Sequence, residues 1–257
     1  MANKIKIDTC RLCMKPNQEL QQSHILPEWM YRPTYDEKGR VMPLSTCTDP
    51  KRKVKPLQKG IRENLLCSPC ERKLGKYEAY VSGMCQKHIY SASHKIIDKG
   101  ILIDPCNIKS LRLFQLANLW RASISSVRDY SDVKLGPYEE KIRKLLLNDD
   151  PGSLQEFICF MQVIYHGGAV IVDCLTPFTK RRFNNDITLY SFQGGGCNWL
   201  YAIGGKTPAL DEYKKKLCLQ YQDNQLSLSF IDLVKLGDLR RSIQDLRDLN
   251  RLARPLY

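Results

Sequence analysis

A chain of 257 residues, 43% hydrophobic and 26% charged, can bury a sizeable core in one large or two modest domains. Its 40 Lys and Arg against 27 Asp and Glu leave a formal net charge of +13, a balance that favours phosphate-bearing partners. No apolar run approaches the roughly 20 residues a bilayer span needs, and MANKIKIDTC has no apolar leader core, so a soluble, cytoplasmic protein is expected.

The basic excess sits at the front. Residues 1–100 carry 19 basic and 10 acidic side chains, the remainder 21 and 17. Ile5 and Ile7 alternate in a short lead-in strand within residues 1–9. Residues 10–80 are rich in Cys, Pro and basic side chains, with only short apolar stretches, as in a small module stapled by metal. KRKVKPLQKGIR at 51–62 holds Lys51, Arg52, Lys53, Lys55, Lys59 and Arg62 and no acid. It reads as a loop that follows a nucleic-acid backbone, the plainer reading being a solvated loop. Residues 71–82 place Leu74, Tyr77 and Val81 on one helical face.

Residues 84–104 read as a connection. NIKSLRLFQLANLWRASISSVRDY predicts a buried helix with Leu111, Phe114, Leu116, Leu119 and Trp120 near one side. GPYEEKIRKLLLNDD predicts a second helix, opened by Pro137. SLQEFICFMQVIY predicts a third, because Ser153 and Glu156 have capping-box spacing. GAVIVDCL, DITLYSF, NWLYAIG and NQLSLSFIDL then read as strands, with a turn at the glycines 194–196 and a charged helix, GDLRRSIQDLRDLNRLAR, at the end. The expected class is α+β: a zinc-bound module over 1–83, a connection over 84–104, and a helical then antiparallel-strand domain over 105–257 for targeting, oligomerisation or regulation.

Of the 11 cysteines, four form two pairs, Cys10/Cys13 and Cys67/Cys70. Two residues between thiolates let one tight turn present both sulfurs to one ion, and two such knuckles complete a closed tetrahedral shell suited to structural Zn²⁺. A redox pair would need a βαβ context that the sequence around neither pair provides.

Between the knuckles the chain resembles a known family. CRLC (10–13), SHILP (23–27), ENLL (63–66) and CSPCERKLGKYE (67–78), in that order, are similar to the HNH endonucleases in their zinc-stapled ββα-metal, treble-clef-like form. The resemblance covers about residues 8–80. It implies a DNA endonuclease, with RNA left open, that uses Mg²⁺ or Mn²⁺ besides the zinc. His24 matches the histidine that activates the attacking water, Asn64 the asparagine that braces the hairpin loop, and the four cysteines the zinc ligands. Glu71 falls where the family has a helix ligand to the catalytic metal. Glu78, seven residues on and on the same helical face, is a second candidate ligand.

Phosphodiester cleavage needs a base for water and a cation for the charge on phosphate, and a neutral imidazole and a hard cation on oxygen ligands suit those tasks. The departure from the family is Ser23, which stands where Asp, Glu or His more often supplies a ligand. Glu71 likewise replaces the usual His or Asn. Either the helix carboxylate supplies what the hairpin lacks, or the module is inactive and binds nucleic acid or a protein partner without cutting. HNH modules joined to larger domains further imply the effector of a bacterial anti-phage defence system, controlled by a partner such as an ATPase or sensor. A homo-oligomer is left open.

Overall fold

The computed structural model describes residues 6–41, 57–91, 100–153, 156–183, 187–204, 221–222 and 224–236. Ile5, most of the basic stretch (Lys51, Arg52, Lys53 and Lys55) and the closing helix expected after Leu236 lie outside these residues.

The front of the chain is a small antiparallel sheet with a helix on it. Strand β1 (Lys6–Asp8) pairs with β2 (Gln18–His24). A short helix α1 (Glu28–Tyr31) follows Pro27, and a two-strand ribbon forms from β3 (Arg40–Val41) and β4 (Leu57–Gln58). Strand β5 (Arg62–Cys67) then joins the other edge of β2, giving the order β1-β2-β5. The β2–β5 register shifts between Gln21 and Gln22, which leaves Leu65 as an extra residue on β5. Helix α2 (Ser68–Met84) starts at once, with Pro69 in its first turn and Leu74, Tyr77 and Val81 buried, the face the periodicity predicts. The helix begins earlier than expected, so the second knuckle forms its first turn.

Strand β6 (Ile101–Ile103) lies in the stretch read as a connection. Helix α3 (Ile108–Ile124) is capped by Asn107, whose Oδ1 accepts from the Ser110 N–H at 2.9 Å. Every residue from Leu111 to Ser123 is buried. A helix buried on all sides is an internal strut rather than a one-faced amphipathic element. Helix α4 (Pro137–Asn148) ends at Asp149 in the left-handed conformation, φ +61°.

The expected third helix is a strand. Residues Ile158–His166 form β7, and the Ser153 carbonyl accepts the Glu156 N–H in a turn instead of opening a helix. The run FICFMQVI is apolar on both alternating faces, and β7 lies inside the sheet, where such a run suits a strand better than a helix cap can counter. Strands β8 (Ala169–Val170), β9 (Thr179–Phe183), β10 (Ile187–Gly194), β11 (Cys197–Ile203), β12 (Tyr221–Gln222) and β13 (Gln225–Asp232) complete the sheet. Its order is β12-β13-β7-β11-β10-β9, with β6 on β13 and β8 on β7. The pairs are antiparallel except β13 with β7, which run parallel. Gly195 and Gly196, at φ +60° and +77°, make the β10–β11 turn that the three glycines predict.

The chain is thus a mixed α+β protein with antiparallel sheets and few helices. One buried apolar cluster runs from Cys10 through α2 and α3 to β13. A row of rings joins the front to the sheet: Trp29 lies 6.2 Å from Phe114, and Phe114 lies 5.6 Å from Trp199. No described helix is long and apolar enough to cross a membrane.

Candidate metal centre and the polar cluster beside it

The two knuckles meet. The thiol sulfurs of Cys10, Cys13, Cys67 and Cys70 all lie within 4.8 Å of one another. Cys13 Sγ and Cys67 Sγ are 3.9 Å apart. A tetrahedral Zn–S₄ shell with bonds of about 2.3 Å separates its sulfurs by about 3.8 Å, so the four thiols fit a zinc ion. Among the described residues no other group of three or more His, Cys, Asp or Glu side chains converges in this way.

Backbone geometry explains the convergence. The first knuckle is a tight turn in which the Met14 N–H bonds the Cys10 carbonyl and the Cys10 N–H bonds the Lys15 carbonyl. Arg11 N–H donates to the carbonyl of the extra residue Leu65 at 3.0 Å, pinning that turn to β5. The Cys67 N–H donates to Cys10 Sγ at 3.3 Å. Cys10 is pulled down to about 4, first by the hydrogen bond from the Cys70 thiol and also by backbone N–H groups, while the same bond pushes Cys70 up. N–H groups turned on sulfur favour thiolate, the form that binds metal.

The alternation of β2 sends its last two residues to opposite faces. Ser23 is fully buried and points at α2, where its Oγ donates to Glu71 Oε2 at 2.6 Å. Burial raises the Glu71 carboxyl above the usual range, opposed by the charge of Arg121 and by the Ser23 bond. His24 is half-buried, with Nε2 2.8 Å from the Lys59 carbonyl and its ring 6.3 Å from that of Tyr31. Burial lowers its pKa, with the Lys59 contact and the Glu28 and Glu78 charges acting the other way.

Of the basic residues singled out in the sequence, Lys59 and Arg62 are described. Lys59 gives His24 its carbonyl contact, and Arg62 stands opposite His24 in the β2–β5 ladder; both side chains are exposed. Asn64 sits in β5 opposite Gln22, and the loop carbonyl at His24 comes from Lys59. Glu78 pairs with Arg121 of α3, Nη1 to Oε1 at 2.6 Å. Trp29 and Tyr31 are buried in packing.

Three participants escape sequence reasoning. Ser23 holds the helix carboxylate instead of standing in for a ligand. Arg121 enters from the second half of the chain; charge within an apolar helix, which Arg121 shares with Arg112, is the signal that points to it. Glu63, opposite Ser23 in the ladder, accepts from Ser125 Oγ at 2.8 Å and from the Ser126 N–H and Oγ at 2.9 and 2.6 Å. Nothing local in ENLL signals that anchor.

Together the fold and the site define a mixed α+β protein with a four-cysteine centre able to hold zinc. Comparison with protein-family models, with curated proteins and with solved structures found no match to this chain.

Proposed function

We propose that the front of the chain is a zinc-stapled ββα-metal module, treble-clef-like and of the HNH type, that hydrolyses DNA phosphodiester bonds with His24 as general base. The observation that carries this reading is the His24 contact. A neutral imidazole that donates from Nε2–H to the Lys59 carbonyl is held in one tautomer and one orientation, which leaves Nδ1 with a lone pair to accept a proton from water. Burial keeps that ring neutral at neutral pH. Lys59 and Arg62, exposed beside it, suit a phosphate backbone, which they would position without reading sequence.

Glu71, oriented by Ser23, offers a carboxylate for Mg²⁺ or Mn²⁺; such a cation supplies charge neutralisation at phosphate when bound. Asn64 acts through the β2–β5 ladder, and the second half of the chain serves targeting, oligomerisation or control by a partner such as an ATPase or sensor in cytoplasmic anti-phage defence. A second reading, a zinc module that binds nucleic acid or protein without cutting, is favoured by two contacts: Ser23 is already committed to Glu71, and Glu78 to Arg121.

Incubation of supercoiled plasmid and of structured RNA with Mg²⁺ or Mn²⁺ separates these. Cleavage of plasmid by the wild type that His24→Ala and Glu71→Gln abolish is the expected result. Salt-dependent DNA binding with no cleavage under either metal selects the second reading, and cleavage of RNA alone reassigns the substrate.

A further inference from the structure

Helix α3 is buried on every side, and desolvating a guanidinium in such a place is unfavourable unless it is well paired. The Arg121 side chain is nevertheless only 1% exposed. It donates from Nη1 to Glu78 Oε1 at 2.6 Å and from Nη2 to Asn118 Oδ1 at 3.1 Å, and its Nε has no partner. Its charge reaches Glu71 as well, which also feels Glu78. Glu71 and Glu78 are two turns apart on one face of α2, about 10 Å along the axis. With Arg121 present, the two ionised carboxylates of α2 and the guanidinium sum to one negative charge instead of two.

We propose that Arg121 is a positioning residue of the phosphodiester site: it takes Glu78 as its counterion and leaves Glu71 as the carboxylate of α2 offered to a divalent cation. This deepens the nuclease reading and rests on it. Glu78 then holds Arg121 in place instead of acting as a second metal ligand. An approaching phosphodiester meets one uncompensated carboxylate, and the cation keeps positive charge to share with phosphate. The arginine is supplied by the helix that packs on α2, so the electrostatics of the front module are set by the second half of the chain.

The test is calorimetric titration of Mn²⁺ into the zinc-loaded full chain, with binding of a short DNA duplex measured separately without Mn²⁺. Arg121→Gln should bind Mn²⁺ about tenfold more tightly and duplex more weakly, because one carboxylate charge is uncovered. Arg121→Lys should stay near the wild type. The pair Arg121→Gln with Glu78→Gln, which restores the charge sum, should return both affinities to wild-type values. A merely structural Arg121 would weaken both ligands together. An Arg121→Gln chain that is folded by circular dichroism but binds Mn²⁺ no more tightly overturns the inference. If Arg121→Gln does not fold, the double variant decides, and altered affinity for either ligand overturns the proposal. Mn²⁺ binding that Glu71→Gln abolishes, but that Arg121→Gln fails to strengthen, counts against Arg121 alone. No Mn²⁺ binding by the wild type removes the Glu71 cation site and the nuclease reading with it.

Discussion

At the scale of single residues, the pair Ser23–His24 shows how strand geometry divides labour. Neighbours on a strand face opposite ways, so one residue braces the helix carboxylate while the other meets the Lys59 carbonyl beside two exposed cations. The sequence singles out His24 and Glu71 as candidates, because a histidine between two CxxC knuckles and a carboxylate just after the second are local features. It did not reveal the Ser23–Glu71 bond, which joins residues 48 apart. The protonation of His24 gives a prediction. Its pKa is lowered by burial, so the protein holds it neutral at pH values where a free imidazole, near 6.5, is already half-protonated. The acid limb of a pH–rate profile should therefore fall below about 6.5. The same linkage makes the His24 contribution to folding fully present above that value and lost as pH falls through the lowered folded pKa. Ser23→Ala should cost about 1–3 kcal/mol in urea unfolding, because a half-buried carboxylate loses a hydrogen bond of 2.6 Å.

At the scale of elements, the knuckles were the clearest signal in the chain, since paired CxxC spacing encodes both the turn and the ligand set. The prediction is one zinc per chain by metal analysis, lost in Cys67→Ala. Chelation should lower the melting temperature sharply, because an ion held by the four cysteines would link the first turn of α2 to the β1–β2 connection. Cys159→Ala, altering a buried thiol in β7, should leave the zinc content unchanged. Strand β7 shows where local reading failed. A capping-box pattern at Ser153 and Glu156 promises a helix, but the following apolar run gains more by lying between β11 and β13, with Cys159, Met161 and Val163 buried along one face. Non-local pairing decides such a segment, and no window of the sequence contains it.

At the scale of the molecule, the front module and the sheet share a core. Gly195 is one point where they touch closely: a Cβ there would come within 2.4 Å of Trp29 Cζ3, and φ is +60°. Gly195→Ala should destabilise the whole chain by about 3 kcal/mol in denaturant unfolding, through both strain and overpacking. Arg121 with Glu78, and Ser125 and Ser126 with Glu63, tie the same two parts by polar contacts at the edge of the site. A chain in which α3 supplies the counterion of a front-module carboxylate places the proposed chemistry under the control of its second half. In the proposed reading, the base is what would make this site a phosphodiesterase and not a zinc staple alone. Single-turnover cleavage of plasmid DNA, wild type against His24→Ala with saturating Mn²⁺, measures that directly. A fall of about 10²–10⁴ in rate with duplex binding retained is the predicted result; metal-dependent cleavage at the wild-type rate by His24→Ala would contradict the account.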